Sequence, residues 1–298
     1  MRSRRIRSYL LFPQIRGKIP IEHKGGNSHM ITVKHIDTID GIKDLIFEQT
    51  YNPEIDRTRS SYCYRGMRSA AYDLTTSLSR NCKSAYAELE QPMLDSFMNY
   101  VRLEDPSISQ SVWKAMVIGQ HYGLPTRLLD WTHSTLVALH FATSEENLDK
   151  LSQRDCIVWR IDLRDLNRNL PAKYRDYLEA KNTFVFSLDG LEEMAKDLKQ
   201  YDADMQDKAM VCFEPPSLDR RIVNQYSFFS AIPSGITDLE AFLDAHTENT
   251  VKYVIDKKLR WELRDILDQL NISERMVYPG TAGIAQWLAR HYYVKSNP

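Results

Sequence analysis

The chain has 298 residues, 43% hydrophobic and 27% charged, with a net charge of −1 at pH 7. That length can bury a substantial core as one large domain or two small ones, and the balanced charge supplies no overall field for nucleic acid or a membrane surface. No apolar run approaches the roughly eighteen residues that a membrane span requires. The four cysteines, Cys63, Cys82, Cys156 and Cys212, are too scattered for a zinc motif or a disulfide framework, so a reducing cytoplasm is the expected location.

Residues 1–29 read as a basic leader. Arg2, Arg4, Arg5, Arg7, Arg16, Lys18 and Lys24 face one acid, Glu22, and the apolar core of a signal peptide is missing. A disordered or non-native leader, with Met30 as an alternative start, is expected; a nucleic-acid-binding arm is the other reading. Beyond it, Ile31 to His35 reads as a strand, followed by a helix that places Ile42, Leu45 and Ile46 on one face. Ser60 to Arg65 alternates like a strand, and Gly66 is expected to end it. Leu89, Met93, Leu94, Phe97 and Val101 recur at helical spacing from Ala85 to Leu103, before Pro106. A second helix is expected over Ser109 to Tyr122 and a third over Leu136 to Asn147, capped by Thr132 or Ser134. Strands are then predicted at Asp155 to Ile161, Thr183 to Phe186, Ala209 to Phe213, within Arg221 to Ile232 after a loop, and at Thr250 to Ile255. Helices are predicted over Leu191 to Tyr201, Lys257 to Leu270 and Ala282 to Tyr292. The Lys257–Leu270 helix would bury Leu259, Leu263, Ile266, Leu267 and Leu270 and leave its charged face in solvent. Asn271 reads as a helix stop and Pro279-Gly280 as a turn. Helices clustered early and strands mostly late predict an α+β fold: one mixed domain over 31–298, with a mainly antiparallel sheet and a helical insertion over about 85–147.

The densest stretch is Trp113 to Trp131, which holds Gln120-His121-Tyr122-Gly123, Pro125, Arg127 and Asp130. Trp113 and Trp131 read as core. Charge threaded between apolar residues is costly to bury unless it is paired, so Arg127 and Asp130 suggest either a clasp with each other or a built site in which Asp130 is the carboxylate. Together with Tyr64-Arg65-Gly66 and Arg221-Ile-Val-Asn-Gln225, the stretch resembles the FRG-domain family. That family is named for an aromatic-Arg-Gly motif and carries a Gln-His-aromatic-Gly-x-x-Thr-Arg-Leu-Leu-Asp-Trp block. The resemblance runs from about Thr58 to Trp287.

A Gly-rich phosphate loop, a His-Glu-x-x-His helix and a Gly-x-Ser-x-Gly elbow are all missing from the sequence. Three short signals remain: Tyr64-Arg65-Gly66, Ala138 to Ser144, and Asn224 to Phe229. Arg65 offers a rigid fork of donors for phosphate, and Gly66 would let a ligand approach the backbone; a strand-end salt bridge is the plainer reading. In order, these signals resemble the three-part signature of ADP-ribosyltransferases, with Arg65 first, His140 and Phe141 second and Gln225 third. The resemblance implies an enzyme that consumes NAD. Arg65, with Arg127, would hold the pyrophosphate. Tyr64 with Phe141 or Tyr122 would clamp the nicotinamide, and Gln225 would orient the ribose, with Asn224 beside it as a further cofactor-binding residue.

Two departures stand out. Gln225 replaces the usual carboxylate, so a glutamate at 225 is expected to support turnover at least as well. His140 stands where Tyr is commoner, on an apolar helical face that suits a core residue. His121, at a helix end before Gly123, could titrate in a cleft or simply meet the helix dipole. Glu214, before Pro215, is a further candidate acid. The expected function is that of an ADP-ribosyltransferase-like toxin or defence effector acting on a protein, RNA or DNA acceptor, with an antitoxin or regulatory protein as partner. The alternative is a non-catalytic FRG module that binds a nucleotide or a protein.

Overall fold

The computed structural model describes residues 31–52, 56–104, 106, 111–216 and 220–295. The basic leader and the expected helix start at Ser109 lie outside them. The strands are β1 (Thr32–Ile36), β2 (Tyr51–Asn52), β3 (Arg57–Thr58), β4 (Tyr62–Met67), β5 (Leu128–Thr132), β6 (Cys156–Asp162), β7 (Phe186–Ser187), β8 (Val211–Glu214), β9 (Ser227–Ala231) and β10 (Val251–Ile255). Eight of them form one mixed sheet in the order β1-β10-β6-β4-β5-β9-β8-β7, while β2 and β3 pair separately. The β1–β10 and β7–β8 pairs are parallel and the other sheet pairs antiparallel, so the fold is α+β with a mostly antiparallel sheet.

Both faces of the central strands are buried. Successive side chains in a strand point to opposite faces. Accordingly Cys63, Leu129, Trp159 and Phe228 join one apolar cluster, while their neighbours Tyr64, Leu128, Val158 and Phe229 join clusters on the other face. This explains the near-continuous apolar runs of β6 and β8, which a sheet with one wet face would interrupt. Trp113 and Trp131 are both core, with indole N–H groups donating to the Ala195 carbonyl at 2.7 Å and the Ser230 hydroxyl at 2.9 Å.

Several elements differ from the sequence expectation. The 85–147 segment is not helical throughout, because β5 enters the middle of the sheet between β4 and β9. The expected Leu191–Tyr201 helix is two helices, Leu188–Met194 and Leu198–Met205, because Ser187 and Asp197 each cap a new start. The expected loop after Arg221 is the helix Arg220–Gln225. The helices Leu163–Arg168, Ala172–Lys181 and Leu239–His246 were not anticipated. Ser134 caps the Thr135–Thr143 helix, one of the two expected candidates.

Gly66 does not end its strand. β4 continues to Met67, and the Thr135–Thr143 helix crosses it so closely that a Cβ at 66 would lie 1.8 Å from the Ala138 carbonyl oxygen and 2.6 Å from the Ala142 nitrogen. The missing side chain therefore makes room for a helix backbone rather than for a ligand. Backbone on both sides cannot yield cheaply, so Gly66→Ala is expected to cost at least the roughly 1–3 kcal/mol of an overpacked core. Thermal unfolding checks this; a melting temperature equal to wild type would contradict the close approach.

Candidate functional site

β4 and β5 are joined at one register pair, Tyr64 opposite Thr132, and then part: β4 follows β6 while β5 follows β9. A cleft of about 180 Å³ opens at this split. Tyr64, Arg65 and Gly66 line one side, Asp130, Trp131 and Thr132 the other, and Phe141, Arg221, Gln225 and Ser227 complete the wall. Arg65 spans the gap. Its Nη1 donates to the Asp130 carbonyl at 2.7 Å and lies 3.8 Å from Asp130 Oδ2. Burial draws the Arg65 guanidinium below its ordinary pKa; Asp130 opposes that shift and the Arg80 cation adds to it. The Asp130 side chain is 57% exposed and faces the opening. Gln120, from the last turn of the Val112–His121 helix, steadies it by donating from Nε2 to Asp130 Oδ2 at 3.1 Å.

The third wall is tied down from the C-terminal side. Asn224 Nδ2 donates to the Met276 carbonyl at 2.7 Å, and Gln225 Nε2 donates to the Val277 carbonyl at 3.1 Å. The Arg221 guanidinium sits over the Tyr278 ring at 5.2 Å. Gln225 is buried, and its other amide atom accepts from the Ser227 hydroxyl at 3.4 Å, so both ends of the side chain are engaged by the protein. The sequence reading overlooked Arg221 and Gln120 as site residues. Arg221 stood in the motif already singled out, and its spacing from Gln225 on one short helix was the signal that could have found it.

Other sequence candidates lie elsewhere. Arg127 is not paired with Asp130. It is buried and forks onto Glu90, with Nε at 2.8 Å and Nη2 also bonded, while Nη1 reaches Asp202 at 2.6 Å. The alternation of β5 explains this, because residues 127 and 130 are an odd number apart and point to opposite faces. His121 ends the Val112–His121 helix beside Tyr122, with ring centroids 5.0 Å apart; neither lines the cleft, and Tyr122 is 77% exposed. Glu214 borders a separate small cavity with His133, and burial raises its pKa. His140 is fully buried and borders a different cavity, not the cleft, with Nδ1 2.9 Å from Arg264 Nη1.

The charged side of the Arg260–Gln269 helix is only partly in solvent as expected: Glu262 and Asp265 are exposed, but the arginines are not. Arg260 and Arg264 are both fully enclosed. Arg264 pairs with Glu274, which also bonds Arg290, and Arg290 forks onto Asp268 at 2.6 and 2.8 Å. Helical periodicity reported most of the apolar stripe, although Leu270, past the helix end, is 49% exposed; it could not report that Arg264 meets Glu274 from later in the chain or that Arg260 meets the carbonyls of Arg154, Ala142 and Ser144 from earlier.

Two histidines make stability depend on pH. Burial lowers His133 to about 4 and His140 to about 3, in the latter case helped by the Arg264 cation. A histidine whose folded pKa lies below its unfolded value favours folding fully above about 6.5 and loses that contribution as pH falls toward the folded pKa. Each ring then contributes a slope of about 1.4 kcal/mol per pH unit in that window. Urea-unfolding midpoints are expected to fall between about pH 7 and pH 5, and less steeply in His140→Gln; equal slopes in both proteins would contradict the assignment.

With this geometry in place, comparison with known families bears on one part of the chain. Residues 60–150 match the FRG domain. The match covers β4, β5 and the Thr135–Thr143 helix, and hence Arg65, Asp130 and Phe141, but not the wall formed by Arg221 and Gln225; it is shorter than the Thr58–Trp287 span over which the sequence resembles that family. No curated protein and no solved structure matches the chain. The resemblance to ADP-ribosyltransferases has no support from these comparisons. No group of three or more metal-ligating side chains occurs among the described residues, and none of their helices is long and apolar enough to cross a membrane.

Proposed function

We propose that the cleft binds NAD and breaks its nicotinamide–ribose bond, passing the ADP-ribosyl group to water or to a macromolecule. The carrying observation is that Arg65, Asp130 and Arg221, distant in the chain, border one cleft at the split between β4 and β5. In this reaction the C–N bond breaks, nicotinamide departs as a neutral molecule with the bonding pair, and positive charge develops on the ribose. Asp130 faces that charge and takes the proton released when the acceptor adds. Arg65 and Arg221 hold the pyrophosphate, and Phe141 borders the nicotinamide. Preorganised charge aimed at a developing cation is the effect such chemistry needs most. This reading moves the carboxylate role to Asp130 and leaves Gln225 as a brace. The cleft is smaller than the roughly 300–1,000 Å³ typical of ligand pockets, so the nicotinamide riboside half fits inside and the adenosine half lies along the mouth past Arg221.

Incubating the protein with labelled NAD and a cell lysate, then separating protein, RNA, DNA and free nicotinamide, tests the reaction and its acceptor together. The role as a toxin or defence effector, with an antitoxin or other regulatory partner, belongs to the same proposal. A second reading, a non-catalytic module that binds a nucleotide, is favoured by one observation: Arg65 and Gln225 are already engaged with backbone carbonyls. Calorimetric binding of ADP-ribose without nicotinamide release from NAD selects it.

A further inference from the structure

Beyond the Tyr278 ring lies a second, larger cavity of about 500 Å³, within the size range of small-molecule sites. Leu148, Leu151 and Ala289 give it apolar wall, while Arg68, Arg264 and Gln286 give it donors. We propose that it is a second ligand site, which takes a small organic molecule carrying a phosphate group.

Arg264 is 1% exposed and borders the cavity; Nη1 meets His140 and Nη2 meets Glu274, while its enclosed Nε meets no acceptor among the described residues. An oxyanion in the cavity beside this guanidinium offsets the cost of burying its charge. The carboxylates around the cavity are already engaged: Glu274 by Arg264 and Arg290, Asp268 by Arg290, Glu145 by Arg154 at 2.6 Å, and Glu146 by Arg68 at 3.1 Å. Arg260, packed behind them, bonds only the carbonyls of Arg154, Ala142 and Ser144 among the described residues. Five guanidinium groups against four carboxylates leave one positive charge, with burial and the neighbouring Arg290 drawing Arg264 down to about 10. Among the described residues Arg68 is held by Glu146 alone, whose side chain is 89% exposed, and such surface pairs contribute about 0–1 kcal/mol. Arg68 can therefore exchange that partner for a ligand. Donors on three separate segments suit the several terminal oxygens of a phosphate better than a planar carboxylate, which a single guanidinium can satisfy.

The test is calorimetric titration of adenosine monophosphate into the Arg65→Ala protein, whose first cleft has lost its anchor, with inorganic phosphate as competitor. Binding is expected, together with weakening of about tenfold or more when Arg68→Gln is added or when Ala289→Trp fills the exposed rim. Both added changes lie outside the Arg264–Glu274–Arg290 network, and circular dichroism checks that they fold. Phosphate is expected to compete, and adenosine to bind at least tenfold more weakly. Absence of binding, binding unaffected by Ala289→Trp, or adenosine binding as tightly as its monophosphate would each overturn the proposal.

Discussion

Arg127→Ala and Glu90→Ala are each expected to lower stability by about 3–5 kcal/mol, since removing one partner of a buried ion pair strands the other charge. Arg127 ties the Tyr86–Val101 helix, which carries Glu90, to the start of β5 and to Asp202 on the Leu198–Met205 helix. For a domain of this size the loss corresponds to a fall in melting temperature of about 2–4 °C per kcal/mol. Asp130→Ala, by contrast, removes an exposed side chain and should melt near wild type. The double replacement Arg127→Met with Glu90→Leu should recover part of the loss, because a buried pair exchanged for apolar groups of similar volume no longer leaves one charge alone. Scanning calorimetry of the four variants decides this, and equal melting temperatures for Arg127→Ala and Asp130→Ala would contradict it.

Asp130→Asn is expected to reduce nicotinamide release from NAD by about 10²–10³-fold, the range associated with losing one preorganised electrostatic group that acts on developing charge. The asparagine can still accept from Gln120 and fill the same space, so the melting temperature should hold while kcat falls. On the proposed reading Arg65→Ala should chiefly raise KM, because a guanidinium on the pyrophosphate would act in substrate and transition state alike. Gln225→Glu, which the sequence alone suggested would support turnover, should instead lower stability: a carboxylate cannot donate to the Val277 carbonyl and would be buried beside it. Chromatographic measurement of nicotinamide with the purified variants checks the first two, and thermal unfolding checks Gln225→Glu. An Asp130→Asn protein as active as wild type would remove Asp130 from the chemistry.

Local sequence determined a good deal. Apolar runs and their periods located β6, β8 and β10, and the position of Ser134 located the helix start that packs on β4. The Tyr64-Arg65-Gly66 motif and Asp130 were visible as chemistry-bearing residues in unusual settings, and the structure brings them to one cleft. Those signals are short-range: burial patterns repeat every two or 3.6 residues, and a cap lies next to what it caps. Partnership is different. Arg127 meets Glu90 37 residues away and Asp202 75 residues away, Gln225 meets Val277 52 residues away, and Arg264 is enclosed by Glu274 and by the Thr281–His291 helix that carries Arg290. Nothing local distinguishes an arginine that will be buried by a later helix from one that stays in water, because its cost or benefit depends on which carboxylate the folded chain delivers. The sequence alone therefore determined which residue types were candidates and on which elements they ride. Only the tertiary structure decided which charges meet, since ion pairs and clefts form between elements that the chain separates.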